Sequence, residues 1–319
     1  MSLMPSISVV IITRNRPQIL CQALDALRLQ TIAPAETIVV DTSDTEETTQ
    51  MLRERYPEVT PVAHPSGPRN MAWSRNQGIQ AGTAPVVAFL DDDSIAEPQW
   101  LAEIARAYAE HPDVGGVGGR IIEGLAEPVI LSAGQKVSTI NRYGMTRANF
   151  NARSEGIVVA EHLKGCNMSF RRAVLAQIGN FDEAYNGPVR DETDVCVRIR
   201  QAGYPLVYNP EATVEHKGFT LFAQKRVQLE SVGSGFLVSR LDGYYVAKNF
   251  GTGAWLAWYL QSSIRGFAHS AKVTYMAFAR AALGLGGGPV GLVQALRRER
   301  HSAIGEQPVL MNAEGVAGD

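Results

Sequence analysis

Apolar strands and amphipathic helices alternate along the first part of this chain. The pattern predicts an α/β fold: an open, mostly parallel sheet flanked by helices, with a helical extension at the carboxyl end. Three observations carry the prediction. Residues 7–12 (ISVVII) form an almost unbroken apolar, β-branched run, as expected for a strand buried on both faces. Strand-like and helix-like segments then alternate as far as Val86–Leu90. After His216 the pattern turns to helical periodicity, with many aromatics and Lys and Arg in excess of Asp and Glu.

The first helix follows Pro17, a residue suited to a first helical turn, and carries Leu20, Ala23, Leu24 and Leu27 at helical spacing. A second buried run, Thr37–Val40, ends at Asp41; strand, helix and strand make one right-handed crossover unit. Asp44 is expected to cap the next helix, with Glu47 three residues on closing a capping box. Val59–Ala63 reads as a strand and Met71–Ala81 as a helix. Val86–Leu90 (VVAFL) is the fourth strand and runs directly into Asp91-Asp92-Asp93. In open α/β sheets, ligands bind at the carboxyl ends of strands, which is where Asp41 and the acidic triplet fall. From about residue 112 the pattern loosens into Gly-rich turns and short strands. A helix resumes at Asp191 and stops at Gly203, the residue type expected just past a helix end. LVYNP and ATVEH follow as short strands.

The totals exclude some classes. The chain has 319 residues, 45% of them hydrophobic, enough for a sizeable core. Thirty Lys and Arg stand against 32 Asp and Glu, so no global basic field argues for nucleic acid. Cys21, Cys166 and Cys196 have no metal-like spacing and read as small buried residues of a reducing compartment. The leader into ISVVII is too short and uncharged for a signal peptide. No uncharged apolar run reaches the roughly 20 residues of a membrane span. The expected place is the cytoplasm, at most peripherally on the inner face of a membrane.

Three neighbouring carboxylates at a strand's end repel one another by about 1 kcal/mol per exposed pair, a cost that a bound cation removes. Hard divalent cations take oxygen ligands and bridge carboxylates to phosphates. The alternative is a solvated turn in which Asp93 or Ser94 caps a following helix.

Seven segments in one order resemble glycosyltransferase family 2: SVVIITRNRPQIL, TIVVDTSD, SRNQGIQAG, VVAFLDDDSIAEPQWL, VGGVGGRI, GCNMSFRRAVLAQIGNFDE and DETDVCVRIRQAGYPLVYNPEATVEH, within residues 6–218. The resemblance implies the GT-A fold, a Rossmann-like sheet, over residues 1–218, with a nucleotide-binding half to about 120 and an acceptor-side half beyond it, then a helical extension over 219–319. It implies an inverting, metal-dependent glycosyltransferase that uses a nucleotide diphosphate sugar and Mn²⁺ or Mg²⁺. Thr13 and Arg14 resemble residues lining the nucleotide pocket, and Asp41 the acid that contacts base or ribose. Arg75 and Asn76 resemble the ARN-G element near the nucleotide. Asp91 and Asp93 resemble the acids of the DxD motif, with Asp93 as metal ligand, Asp91 nearer the ribose and diphosphate, and Asp92 grouped with the donor-binding residues. Gly165 and Asn167 resemble a loop lining the sugar and acceptor region. His216 resembles a histidine that some members use as a metal ligand.

Asp191-Glu192-Thr193-Asp194 stands where the family has Glu-Asp-x-Asp. Glu192 occupies the place of the catalytic base, so both Glu192 and Asp191 are candidates, with Asp191 also a candidate helix cap. Asp194 and Arg198 are substrate-side candidates whose spacing equally suits an ion pair along a helix. The tail, with Trp255, Trp258, Tyr259 and Phe267 among Lys225, Arg226, Arg265, Lys272, Arg280, Arg297, Arg298 and Arg300, suits either a membrane surface or a helical subdomain packed on the core. A sugar-nucleotide pyrophosphorylase would call for a Gly-rich basic loop after the first strand, which TRNRPQIL lacks. A non-catalytic nucleotide-sugar-binding module is the remaining alternative.

Overall fold

The computed structural model describes residues 4–68, 70–187, 189–218, 232–270 and 287–296. The strands are β1 (Ile7–Thr13), β2 (Glu36–Asp41), β3 (Val59–Ala63), β4 (Val86–Asp91), β5 (Ser94–Ala96), β6 (Gly116–Ile122), β7 (Ser138–Ile140), β8 (Thr146–Ala148), β9 (Val158–Ala160), β10 (Met168–Arg171) and β11 (Leu206–His216). The helices are α1 (Pro17–Arg28), α2 (Glu47–Arg55), α3 (Met71–Ala81), α4 (Trp100–Glu110), α5 (Arg172–Gln177), α6 (Asp191–Gln201) and α7 (Val232–Ser270), followed by α8 over residues 287–296.

The main sheet runs β3-β2-β1-β4-β10-β6-β11-β5, with β9 paired to β11. The first four strands are all parallel, as their apolar runs predict. The second half is mixed, because β10 enters antiparallel between β4 and β6 while β6 and β11 remain parallel. The segments LVYNP and ATVEH are one strand, β11, with a register shift between Asn209 and Val214.

Both faces of the sheet are covered, so β1 carries apolar residues at successive positions. Val9 and Ile11 face the layer of α1 and α4, with Leu20, Leu24, Trp100 and Ile104. Val10 faces the opposite layer, with Ile79, Phe89, Phe170 and Ile199. The register sets Thr13 beside Asp41 and Ile12 beside Asp91. The carboxyl ends of the central strands therefore form one shelf.

The extension is not separate from this body. A third apolar cluster joins Tyr185 and Val197 to Leu241, Tyr244, Tyr245 and Trp258. Beside it, Lys248 Nζ donates to Asp182 and Asp194 at 2.8 Å each, Arg190 Nε to Asp242 at 2.6 Å, and Tyr244 to Asp182 at 2.7 Å. α7 breaks at Gly251, whose φ of 81° lies outside the helical range and is open to glycine at little cost.

The expected cap at Asp44 does not form, nor do the alternative caps at Asp93 or Ser94 and at Asp191. α2 has Glu46 at its N-cap without a side-chain bond, because Asp44 turns back to Arg14 and Asn15 at 2.5 and 2.7 Å. Neither Asp93 nor Ser94 caps a helix, since Ser94–Ala96 pair with β11 and α4 begins only at Trp100. Asp191 is the first residue of α6 rather than its cap; Arg190 holds that place at φ 79°.

Candidate active site

The acidic triplet leaves β4 in three directions. Asp92, 1% exposed, turns inward and accepts from Thr13 Oγ1 at 2.7 Å. Burial pushes its carboxyl up to about 7, against the pull of Arg16 and Thr13. Asp91 and Asp93 turn toward a cavity of about 640 Å³ at the sheet's carboxyl edge. The β5–β11 pairing sets His216 opposite Ser94, which brings the end of β11 back over the triplet. His216 Nε2 lies 3.3 Å from Asp93 and 3.9 Å from Asp91, and Nδ1 lies 2.9 Å from Glu123. Burial works to lower the imidazole's pKa, but hydrogen bonds to Asp93 and Glu123 outweigh it and raise the value to about 9. Burial likewise opposes ionisation of Asp93, and the His216 bond overcomes it, holding that carboxyl below the usual range.

This set fits a hard divalent cation. Two carboxylates and an imidazole converge, and Glu123 fixes Nδ1 so that Nε2 faces the acids, the outer-shell arrangement common for metal-bound histidines. Residue 218 is glycine at the place where space is needed. A Cβ there would stand 2.7 Å from Asp93 Oδ2 and 2.9 Å from His216 Nε2, filling the gap between them. Cys166 Sγ also lies within 4.8 Å of its neighbours Asp91 and His216. Burial, with the neighbouring Asp91 charge, pushes its thiol well up. Arg16 reaches in from the opposite side, 3.2 Å from Asp92 and 3.1 Å from Asp93, with its side chain 41% exposed.

The far wall is built around a buried ion pair between Arg75 of α3 and Asp191 of α6. Gly165 lies directly over the guanidinium; a Cβ at 165 would come 2.7 Å from Arg75 Nη2. The next residue, Glu192, faces the cavity. Burial, and then the neighbouring Asp191, raise its carboxyl to about 8. The two candidate acids thus stand side by side at the start of α6: Asp191 pairs with Arg75, while Glu192 is in contact with Asp191 and lines the cavity.

Of the residues picked from the sequence, Thr13, Arg14, Arg75, Asp91, Asp92, Asp93, Gly165, Glu192 and His216 line this one cavity. Six others do not line it, among them Asp191, the buried partner of Arg75. Asp41 accepts from Ser43 N and Thr49 Oγ1 at 2.9 and 3.3 Å and borders a separate small cavity, while its neighbour Thr42 reaches the main one. Asn76 ties α3 to the chain at Phe181 and Glu183. Asn167 is buried among Trp100, Arg120 and Ala212, bracing β10. Asp194 receives Arg198, Tyr185, Lys248 and Asn249, and Arg198 also closes the carbonyls of Ile178 and Asn180. Arg16, Glu123, Lys164 and Gly218 had not been picked out. Glu123 and Lys164, 2.5 Å apart, meet only because β10 and β11 flank β6; the second arginine of TRNR was the visible hint for Arg16.

The family described as Glycosyltransferase like family 2 matches residues 5–229. The glucosyl-dolichyl phosphate glucuronosyltransferase of Haloferax volcanii is 28% identical over 224 residues, 67% of this chain and 69% of that protein. In fold, the chain is similar to GalNAc-T7, solved with UDP, GalNAc and Mn²⁺, at a TM-score of 0.58 and 16% identity, over 67% of this chain and 43% of that one. It is also similar to the mannosyltransferase PcManGT from Pyrobaculum calidifontis, solved with GDP-Man and Mn²⁺, at 0.52 and 16% identity, over 96% of this chain and 77% of that one.

Proposed function

This chain belongs to glycosyltransferase family 2, and on that premise we propose that it is a metal-dependent, inverting enzyme moving a sugar from a nucleotide diphosphate to an acceptor hydroxyl. The observation that carries the reading is the convergence of Asp91, Asp93, His216 and Glu192 on one cavity. Asp91, Asp93 and His216 would hold Mn²⁺ or Mg²⁺. The cation, when bound, supplies positive charge against the negative charge that grows on a leaving diphosphate. Thr13, Arg14 and Thr42 form the side that receives the nucleotide, and Asp41 acts from behind by fixing the loop that carries Thr42. Arg16, reaching the acids from a half-exposed position, is placed to meet a phosphate oxygen. Arg75 and Asp191 lock the far wall, so that Glu192 is held at a fixed angle to the donor.

Glu192 takes the acceptor's proton as general base, with the raised pKa that such a role calls for at neutral pH. Single displacement from the face opposite the leaving group gives inversion. The Haloferax volcanii relative's name pairs glucosyl-dolichyl phosphate with glucuronosyl transfer, and a glycan or lipid-linked glycan is the acceptor class proposed here. No helix among the described residues is long and apolar enough to cross a membrane. A peripheral contact of a cytoplasmic protein with the membrane's inner face remains part of the proposal. It is supported by the exposed Leu256, Leu260, Val290, Val293 and Leu296 of α7 and α8. Trp258 is buried and Trp255 stacks on Tyr259. The side chains of Arg265 and Phe267, and Lys225, Arg226, Lys272, Arg280, Arg297, Arg298 and Arg300 altogether, lie outside the described residues.

The test is donor turnover. UDP-, dTDP- and GDP-sugars are incubated with Mn²⁺ and no acceptor, and nucleotide diphosphate release is measured. Slow hydrolysis of at least one donor is expected. Binding of a donor with no hydrolysis would indicate a binding module. Pyrophosphate-dependent release of nucleoside triphosphate would indicate a pyrophosphorylase.

A further inference from the structure

The helix that carries Glu192 begins without a local cap. Arg190 holds the N-cap position of α6 and makes no side-chain cap bond, so the free N–H groups of the first turn gain nothing from it. Helix ends of this kind open easily unless something else holds them. The first turn closes with a backbone bond from Asp194 N to Arg190 O at 2.8 Å. Glu192, which lines the main cavity, sits at the middle of that turn.

Both ends of the turn are pinned by α7. At one end, Arg190 Nε donates to Asp242 at 2.6 Å, and its guanidinium lies 4.9 Å from the centre of the Tyr245 ring. Arg190 is also in the left-handed region, at φ 79°, which a residue with a Cβ holds only where its surroundings fix it. At the other end, Lys248 Nζ donates to the two oxygens of the fully buried Asp194 at 2.8 and 2.9 Å, and Asn249 Nδ2 donates to Oδ1 at 2.8 Å. α7 holds the neighbouring wall as well. Arg240 donates to Asn186, and a Cβ at Gly187 would stand 2.6 Å from Leu241 Cδ1; Asn186 and Gly187 line the main cavity. A contact that served only to dock α7 could fall anywhere along α6, yet these charged bonds gather on its first turn. The far end of α6 meets α7 through an exposed bond, Gln201 Nε2 to Asn249 O at 3.2 Å.

We propose that Asp242 and Lys248 of α7 are positioning residues for Glu192. Through Arg190 and Asp194 they fix the first turn of α6, and with it the angle at which the base meets the hydroxyl it deprotonates. The proposal rests on the reading of Glu192 as the base. Neither residue touches the reacting atoms, so the effect of each is on rate through placement, where an error of about 1 Å can cost roughly 10²-fold.

The test uses the full chain and whichever of the UDP-, dTDP- and GDP-sugars the native protein hydrolyses with Mn²⁺. It compares kcat, the Kd of the matching nucleotide diphosphate by calorimetry, and amide exchange at residues 190–194 by mass spectrometry. Asp242→Asn keeps the side chain's shape; it should lower kcat about tenfold or more, leave Kd within about twofold, and speed exchange at 190–194 but not in β1 or β4. Lys248→Met should do the same, and if it fails to fold, Asp242→Asn decides. Arg190→Gly takes the left-handed φ at little cost but lacks the anchor. It should lose as much, and adding Asp242→Asn to it should cost little more. Gln201→Ala, at the far end of α6, should keep the native kcat. A folded Asp242→Asn with native kcat or native exchange overturns the proposal, as does an equal loss of kcat in Gln201→Ala. If the native chain hydrolyses no donor, the transferase reading fails, and exchange at 190–194 alone then decides whether α7 holds the turn.

Discussion

Replacing Glu192 by Gln removes the proton acceptor while keeping side-chain length and shape. A lost general base costs roughly 10²- to 10⁴-fold in turnover, and the lower figure corresponds to about 2.7 kcal/mol of barrier. With its pKa raised to about 8, Glu192 is only about one-tenth ionised at pH 7. The native rate should therefore climb close to tenfold per pH unit below 7 and level off above about 8. Glu192→Gln should be slow and lose that limb. Stability provides a second, independent reading. Because the folded pKa lies above the unfolded value of 4.5, the folded state keeps a proton that the unfolded state releases. Native stability should fall as pH rises from about 4.5 to 8. Glu192→Gln cannot ionise, so its melting temperature should fall less over the same window. The assays are donor hydrolysis from pH 5.5 to 9 and thermal unfolding across the same range. An active Glu192→Gln beside an inactive but folded Asp191→Asn would refute the assignment and make Asp191 the base.

Breaking the Arg75–Asp191 pair leaves an uncompensated buried charge. Arg75→Met or Asp191→Asn alone should cost roughly 3–5 kcal/mol by denaturant unfolding, and the double variant Arg75→Met/Asp191→Leu less than the sum. Gly165→Ala places a methyl 2.7 Å from Arg75 Nη2; it should weaken nucleotide binding by calorimetry more than it lowers the melting temperature. For the extension, flotation with anionic liposomes at low salt should carry the protein upward, and a protein left in the bottom fraction removes membrane contact from the account.

The sequence revealed the shelf more readily than the walls. β1, β2 and β4 were visible because strands buried on both faces need near-continuous apolar runs, and Asp91–Asp93 because charge follows such a run abruptly. The helix caps failed for a common reason. Asp44 and Asp191 have partners far along the chain, Arg14 thirty residues away and Arg75 at 116, and local pattern does not report such distances. Asn76, Asn167 and Asp194 had the right sequence positions, but position does not give direction. Each side chain points into packing, where a buried amide or carboxylate must be satisfied. Glu123 and Lys164 became part of the site only through the strand order β10-β6-β11, which single-sequence periodicity does not encode. Gly218 was legible only as a small residue after His216; its use is visible when the Cβ it lacks is placed between two ligand atoms.

The central claim is that Asp91, Asp93 and His216 build a cation site on which donor binding depends. Calorimetric titration of UDP, GDP and dTDP into the native chain, with Mn²⁺ and then with excess EDTA, tests it most directly, with Asp93→Ala and Gly218→Ala as companions. At least one nucleotide should bind 10-fold or more tightly with Mn²⁺, a difference of about 1.4 kcal/mol. Both variants should lose most of that gain while keeping the metal-free affinity. Equal affinities with Mn²⁺ and with EDTA, or a full Mn²⁺ gain in Asp93→Ala, would contradict it.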